Sequence, residues 1–254
     1  MKLIVGNWKM YPKTFAEAKQ IFTLHKKVAG KMKRTKIIIC PPTLFVYPLV
    51  QALSKAKNIS VGAQNAYSED EGARTGETSP AALTSVGVTH VILGHSERRA
   101  MGETDNLIAL KASQAIRNKL TVIVCVGEHA RDDAGAYFNE VREQLRRSLE
   151  GFPKNESKRL VVAYEPIWAI GAKAVRSATP TDFHEMSILI KRHLVEQFGK
   201  IAGFKVPILY GGSVDDRNAE GFMLQGGADG LLVGRVSLDA EKFGEIIRIA
   251  EQIK

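Results

Sequence analysis

The run "LTVIVCVG" (Leu120–Gly127) decides the fold, because its apolar residues follow one another without the polar alternation of a half-exposed strand. Continuous runs of this kind are typical of strands that are buried on both faces. Such strands occur in parallel sheets that are covered by helices. The run therefore predicts a buried parallel strand.

Seven further runs share this character and recur at regular intervals along the chain. They are "KLIVG" near Lys2, "KIIIC" at Lys36, "ISVGAQ" at Ile59, "THVILG" at Thr89, "RLVVAY" at Arg159, "VPILYGG" at Val206 and "ADGLLVG" at Ala228. The sequence thus predicts eight strands.

Segments with helical periodicity lie between the runs. Asn139–Gly151 places apolar residues four apart and ends in a glycine that suits a helix C-terminus. The segments Thr181–Phe198, with Thr181 as its N-cap, and Glu241–Ile253 also have one apolar face.

Strands that alternate with helices pair in parallel through right-handed crossovers, which leaves an open doubly wound sheet or a closed barrel. An open sheet would normally carry a glycine-rich fingerprint after its first strand, where this chain reads "GNWKMYP" (Gly6–Pro12). No linker rich in Pro, Gly or Ser divides the chain. We therefore expect an α/β fold: a single (β/α)8 barrel of eight parallel strands, in one domain spanning residues 1–254.

The amino-acid composition excludes several classes of function. The two cysteines, Cys40 and Cys125, form neither a disulfide framework nor a zinc site, which favours a reducing cytoplasm. No apolar run reaches the ~20 residues of a membrane span, and the N-terminus is too short and polar for a signal sequence. The net charge is +9, but the densest basic run, His25–Lys36, lacks aromatic residues for base stacking. We expect neither a membrane nor a nucleic acid as partner.

In (β/α)8 barrels the chemistry lies where the strands end. The residues at those ends are Asn7, Lys9, Gln64, Asn65, His95, Glu128, Glu165, Gly211, Gly212, Ser213, Gly234 and Arg235. One Glu, one His and one Lys thus share a barrel mouth with two glycine-bearing turns.

The two turns, "YGGSV" (Tyr210–Val214) and "GLLVGRVSL" (Gly230–Leu238), predict a phosphate site. Backbone N–H groups at a helix N-terminus bind anions, and glycine lets a phosphate approach the backbone. The net positive charge would steer a dianion toward them.

His95 stands between the fourth strand and a helical turn. Helix-terminal N–H groups that donate to an imidazole nitrogen disfavour its protonation. We therefore expect a neutral His95 that polarises a carbonyl from its other nitrogen.

Across nearly the whole chain, from Asn7 to Leu238, the sequence resembles the triosephosphate isomerase family. The motifs that carry the resemblance are "NWKM", "GAQN", "TGE", "VILGHSERR", "GETD", "CVGE", "YEPIWAIG" and "YGGSV", in that order. The resemblance implies a TIM barrel that interconverts dihydroxyacetone phosphate and D-glyceraldehyde 3-phosphate in glycolysis and gluconeogenesis, without cofactor or metal.

The resemblance also assigns the site. Glu165 would move the proton, His95 would polarise the carbonyl oxygens and Lys9 would stabilise negative charge; a glutamate base paired with a neutral histidine is characteristic of the family. Asn7 and Glu97 would complete the catalytic set. Substrate would be bound by Asn7, Lys9, Gly171, Ser213, Gly234 and the backbone of Arg235.

Two further expectations follow from the resemblance. The loop 62–77, with Thr75 at its tip, would enter a partner subunit near that subunit's own Lys9 and His95, giving a homodimer. The segment that follows Glu165 would be a mobile lid, which accounts for the dozen residues between the sixth strand and the next helix.

The chain departs from the family at three places. The lid "AIGAKAVRSATP" (Ala169–Pro180) is two residues longer than the common "AIGTGKTATP" and puts Lys173 and Arg176 near its tip. Arg235 replaces a usual glycine, so its side chain must turn outward or add a charge contact. Tyr11 replaces a usual asparagine beside the dimer loop.

Two other functions remain open on the residues alone. Another phosphosugar isomerase on the same barrel would share the phosphate site but not the Lys, His and Glu set. A basic barrel that binds nucleic acid would show steeply salt-dependent binding and lose nothing on Glu165→Asp.

Overall fold

The computed structural model describes residues 1–53, 56, 58–171 and 174–253 and shows a closed barrel of parallel strands in sequential order. Pairing of Leu3 with Gly230 joins the first strand to the last. The strands are β1 (Lys2–Asn7), β2 (Thr35–Cys40), β3 (Ile59–Ala63), β4 (His90–Leu93), β5 (Thr121–Val126), β6 (Leu160–Tyr164), β7 (Ile208–Tyr210) and β8 (Gly230–Val233). The expected (β/α)8 barrel is confirmed.

Helices surround the barrel. Within the described ranges they are α1 (Phe15–Ala29), α2 (Thr43–Ala52), α3 (Pro80–Ser85), α4 (Ser96–Ala100), α5 (Asp105–Arg117), α6 (Ala136–Ser148), α7 (Pro180–Phe198), α8 (Lys200–Lys205), α9 (Ala219–Leu224) and α10 (Ala240–Gln252). Short 3-10 turns span Lys154–Arg159, Ile167–Ala169 and Arg235–Leu238. None of these helices has the length and apolar character that crossing a bilayer requires.

The core has two layers, because successive side chains of a strand point to opposite faces. In β5, Ile123 and Cys125 pack inside the barrel, whereas Val122, Val124 and Val126 pack against the helices. Both layers are closed to solvent here. This double burial is the physical reason for the uninterrupted apolar runs in the sequence.

Helix α7 begins at Pro180, so the expectation of Thr181 as its N-cap was wrong. Thr179 is the N-cap, and its hydroxyl accepts the Asp182 N–H at 3.2 Å. The Asp182 carboxylate in turn accepts the Thr179 N–H at 2.7 Å, which completes a capping box. Pro180 fits the first helical position because that position needs no N–H donor.

Two other predicted helices are shifted at their ends. Helix α6 begins at Ala136, three residues before Asn139, and ends at Ser148, so Gly151 lies beyond its C-cap residue, Leu149. Helix α10 begins one residue before Glu241 because Asp239 caps it, accepting backbone N–H groups of the first turn.

Candidate active site

A cavity of about 560 Å³ opens at the carboxyl end of the barrel. Every residue that the sequence assigned to the site lines it: Asn7, Lys9, His95, Glu97, Glu165, Gly171, Ser213, Gly234 and Arg235. These residues follow five different strands, and closure of the sheet brings them together.

Glu165 lies directly after β6 and is held by both its backbone and its side chain. Its N–H donates to the Val126 carbonyl at 2.8 Å. The neighbouring position 127 must be glycine, because a Cβ there would lie 1.8 Å from the Glu165 carbonyl oxygen. The carboxylate is 4% exposed; Oε2 accepts the Ser96 N–H at 2.9 Å, and Oε1 lies 3.0 Å from His95 Nε2.

Opposing effects act on the pKa of Glu165. Burial raises the pKa of this carboxyl, but His95 and the Ser96 N–H lower it by more, so that the net shift is downward. Glu165 is therefore ionised at neutral pH, which is the form a general base needs.

His95 caps the short helix α4 through its ring. The Glu97 N–H donates to Nδ1 at 3.2 Å, so this nitrogen carries no proton and Nε2 is the donor that faces Glu165. Burial is the largest effect and lowers the pKa of the imidazole, but the charge of Glu165, its contact with Nε2 and the charge of Glu97 together outweigh burial, so that the net shift is upward. The acceptor role of Nδ1 is the arrangement that a neutral His95 requires. The pKa of His95 is raised in this way only while the Glu165 carboxylate lies against Nε2.

Lys9 adopts a left-handed backbone with φ of 50°. Such a conformation costs on the order of 1–3 kcal/mol in a residue with a side chain and persists only where neighbours enforce it. Here the Lys9 N–H donates to Asn7 Oδ1 at 3.1 Å, and Gln64 Nε2 donates to the Lys9 carbonyl at 2.8 Å. The ammonium group reaches Glu97 Oε1 at 2.6 Å.

The turns after β7 and β8 form the opposite wall of the cavity. Among the described residues, no acceptor is paired with the backbone N–H groups of Ser213, Gly234 and Arg235. Ser237 braces the second turn, since its hydroxyl donates to the Gly234 carbonyl at 2.6 Å. Gly171, with φ of 77°, lines the cavity from the lid side. These donors suit an anion.

Ser213 also links the turn after β7 to the lid, because its hydroxyl donates to the Ala169 carbonyl at 3.2 Å. The base of the lid is anchored on Glu128, a strand-end residue that lies outside the cavity. Glu128 Oε1 accepts from Trp168 Nε1 at 2.7 Å and from the Tyr164 hydroxyl at 2.6 Å. Glu128 is thus a support for the lid.

The far end of the lid is clamped by Arg176, which sequence reasoning placed near the tip. Its guanidinium forms two hydrogen bonds with Asp182, at 2.6 and 2.8 Å, and lies 4.5 Å above the Trp168 ring. The hydrogen bonds from Arg176 hold the pKa of the Asp182 carboxyl well below its usual range. Lys173, the other charge expected near the tip, lies outside the described residues.

Sequence reasoning missed Arg131 and Asp182. Arg131 Nη1 contacts Asp182 Oδ1 at 3.0 Å, and its Nε contacts Glu128 Oε1 at the same distance. The capping pattern Thr179-Pro-Thr-Asp182 was the available signal for Asp182. No motif marked Arg131. The remaining strand-end residue, Asn65, accepts from the buried Lys111 at 3.1 Å and lies away from the cavity lining.

Arg235 contacts Tyr11, and both residues depart from the family pattern. Its guanidinium carbon lies 5.3 Å from the centre of the Tyr11 ring, and both side chains line the cavity. The sequence left two alternatives for the Arg235 side chain, to turn outward or to add a charge contact. Its position at the cavity rim favours the second.

The fold and the site define a class of protein: a TIM-barrel enzyme with a buried carboxylate, an imidazole and an ammonium group at the carboxyl ends of its strands. Among the described residues, no three His, Cys, Asp or Glu side chains form a group that could hold a metal ion.

Comparison with known proteins identifies the family. The family model described as triosephosphate isomerase matches residues 2–250. Relatives named triosephosphate isomerase include those of Moorella thermoacetica, 43% identical over 96% of this chain and 97% of the relative, and of Trichlorobacter lovleyi, 40% identical over 97% of each chain. That of Roseiflexus sp. is 42% identical over 96% of each. The chain belongs to the triosephosphate isomerase family and is an isomerase.

Proposed function

We propose that this chain interconverts dihydroxyacetone phosphate and D-glyceraldehyde 3-phosphate through an enediolate, using its own side chains and backbone N–H groups. The observation that carries the assignment is the buried Glu165 carboxylate, 3.0 Å from His95 Nε2, in a cavity that Lys9 and two glycine turns share. A carboxylate base beside a neutral donor is the pair that proton transfer next to a carbonyl requires.

Glu165 takes a proton from C1 of dihydroxyacetone phosphate and returns it to C2. Its carboxylate is at present bound to Ser96 N–H and His95 Nε2, so it must turn away from both to reach the substrate. That movement removes the contacts that lower its pKa and leaves burial, which raises it. Glu165 thus becomes a stronger base when it meets the carbon acid.

His95 and Lys9 stabilise the enediolate. Nε2–H of His95 donates to the substrate oxygens and moves the proton between them, because Nδ1 is occupied by the Glu97 N–H. The Lys9 ammonium group stabilises the negative charge as it develops. Asn7 orients Lys9 by accepting its backbone N–H, and Glu97 orients it by accepting from its ammonium group.

The phosphate is bound by the N–H groups of Gly171, Ser213, Gly234 and Arg235, three of which have no protein acceptor among the described residues. This binding fixes the distance between the phosphate and Glu165. Closure of the lid over the cavity would exclude water and keep the enediolate from losing phosphate.

We further propose that the chain works as a cytoplasmic homodimer in glycolysis and gluconeogenesis. Large apolar side chains around the mouth are exposed, with Met10 at 91%, Leu44 at 86% and Met101 at 73%. These residues follow β1, β2 and β4, so they lie at the same end of the barrel, and exposed apolar groups gathered at one end favour an interaction surface. The loop around Thr75 is exposed as well, which suits insertion into a partner.

A coupled assay of triose phosphate isomerisation on the wild type, Glu165→Asp and Glu165→Gln tests the function. We expect both variants to lose about 100-fold or more in kcat, within the range that a positioned general base contributes. Glu150→Asp, a change at an exposed glutamate on the outer surface, is the matched control and should retain activity.

Wild-type protein that isomerises other phosphosugars and leaves triose phosphates unchanged would support the alternative phosphosugar isomerase. Full activity in Glu165→Gln would exclude Glu165 as the base.

A further inference from the structure

Among the residues that the structure describes, each charged side chain that lines the cavity contacts a polar or charged partner, with the exception of Arg235. The pairs are Lys9 with Glu97 at 2.6 Å, Glu165 with His95 at 3.0 Å and Asp215 with Arg217 at 2.7 Å. Arg235 lines the same cavity and forms no salt bridge within the part of the chain that the structure describes. A cation without a counter-ion in a substrate cavity is available to an anionic ligand.

Tyr11 holds this cation in place. A guanidinium 5.3 Å from an aromatic centre is within the range of a cation–π contact, which is worth roughly 0.5–1 kcal/mol at exposed sites. The contact restricts a side chain that would otherwise sample many rotamers in solvent. Tyr11 and Arg235 are both departures from the residues usual in the family, and here the two departures contact each other.

The contact bridges neighbouring loops at the phosphate end. Tyr11 follows β1 and Arg235 follows β8, and these two strands are paired in the barrel. Between the two loops, Lys9 Cε lies 3.6 Å from where a Cβ on Gly234 would stand. The guanidinium thus extends from the turn whose Gly234 and Arg235 N–H groups have no protein acceptor among the described residues.

We infer that Arg235, held by Tyr11, is a specificity-determining residue that adds a side-chain charge contact to the phosphate dianion of the substrate. This inference rests on the proposed function, which assigned only the backbone of residue 235 to the phosphate. The phosphate takes no part in the proton transfer itself, and we expect the contact to be the same in the ground state and in the transition state. It lowers KM and leaves kcat unchanged.

The pair also selects the ionisation state of the ligand. The second pKa of a phosphate monoester is about 6, so the dianion predominates at pH 7.5 and the monoanion at pH 5.5. A guanidinium gains more from the doubly charged form. Salt should weaken the contact because the side chain is exposed at the rim.

The experiment compares wild type with Arg235→Gln, Arg235→Lys, Tyr11→Phe and Tyr11→Leu. We measure kcat and KM for triose phosphate, and the Kd of inorganic phosphate by titration calorimetry at pH 7.5, at low and high salt. Arg235→Gln should raise both KM and Kd by about fivefold at low salt, the equivalent of one exposed cationic contact, with kcat within twofold. Arg235→Lys should recover part of this loss.

The tyrosine variants test whether the ring acts through the arginine. Tyr11→Phe keeps the aromatic face and should match wild type, whereas Tyr11→Leu should raise KM. In the double variant Tyr11→Leu/Arg235→Gln the effects should not add, since the tyrosine acts on the same cation. Tyr11 lies beside the proposed dimer face, so sedimentation of each variant is measured on the same samples.

Arg192→Gln is the matched control, because Arg192 is an exposed arginine on α7, 79% exposed, and its loss changes the net charge equally. An unchanged KM and phosphate Kd in Arg235→Gln, or an equal change in Arg192→Gln, would overturn the inference and leave the proposed isomerase intact. Wild-type protein that binds phosphate through Arg235 but does not isomerise triose phosphate would instead overturn the proposed function.

Discussion

At the residue scale, His25 shows how a side chain outside the cavity supports the substrate turn. It is fully buried on α1, between Trp8 and Phe243, and its Nε2 lies 2.8 Å from the Ser237 carbonyl oxygen. Ser237 in turn braces Gly234. A hydrogen bond from a buried imidazole therefore fixes the 3-10 turn on which the proposed phosphate donors lie.

The burial of His25 makes stability dependent on pH. Burial lowers the pKa of His25 to about 4, below the ordinary value of 6.5. As the pH falls below 6.5 the unfolded chain takes up a proton that the folded chain does not, so stability decreases until about pH 4 and then levels off. Between pH 7 and pH 5 the loss from this one group is about 2 kcal/mol.

Between pH 7 and pH 5, we expect the free energy of unfolding of His25→Gln to fall by about 2 kcal/mol less than that of the wild type. Glutamine keeps a donor for the Ser237 carbonyl but does not titrate. The measurement is the free energy of unfolding in urea at both pH values and one protein concentration. His129→Gln, at an exposed histidine, is the control. An identical pH dependence in wild type and His25→Gln would contradict the assignment.

At the scale of elements, the strands could be predicted from sequence because burial on both faces leaves a continuous apolar signature. The assigned site residues followed, since each lies at a strand end or in the segment directly after one. The ends of the helices were less certain: Thr179 and Thr181 flank the same proline, and only the hydrogen bonds of Asp182 decide between them.

The lid clamp could not be predicted in the same way. It joins Arg131 after β5, Arg176 in the lid and Asp182 on α7, and no local period or motif relates these three positions. Long-range ion pairs depend on the final packing of elements. A sequence pattern predicts only local secondary structure and burial.

The clamp predicts that Arg176 holds the lid in the arrangement seen here. Arg176 is half exposed, whereas Asp182 is fixed on α7 by the capping box. If closure carries the lid toward the cavity, it must break two hydrogen bonds and the contact with Trp168. Arg176→Gln should therefore lower KM and the Kd of an enediolate analogue by roughly threefold, as expected for a partly solvated charged hydrogen bond.

Arg176→Lys, which keeps the charge but cannot form both hydrogen bonds, should be intermediate. Asp182→Asn is not a suitable probe, because it would also remove the capping box. Steady-state kinetics and analogue titration measure the effect. A higher KM in Arg176→Gln would mean that Arg176 stabilises the closed lid and that the prediction is wrong.

At the scale of the whole molecule, the net charge of +9 bears on how substrate arrives. A positive protein attracts a phosphate dianion before any contact forms, and salt screens this attraction. We expect kcat/KM to fall with increasing ionic strength in the wild type. Varying solution viscosity at each salt concentration separates the encounter rate from chemistry, and a salt-independent kcat/KM would exclude steering.

Assembly is the other property of the whole molecule, and the loop around Thr75 is where it is tested. The loop closes on itself: Tyr67 N–H donates to the Thr78 carbonyl at 2.8 Å, and Arg74 pairs with Glu69 at 3.2 Å. Thr75 is exposed at the tip, so its side chain contributes little to the fold of its own chain. Thr75→Arg should leave the barrel folded and disrupt only the proposed contact with a partner.

We expect wild type to sediment as a dimer and Thr75→Arg as a monomer that has lost at least about 100-fold in kcat. The loss follows because a partner's loop would no longer restrain the strained backbone of Lys9 or the ring of His95, and misplacement of about 1 Å costs that much. Thr23→Arg, which adds the same charge to the exposed face of α1, should stay dimeric and active. A fully active Thr75→Arg monomer would show instead that each barrel builds a complete site alone.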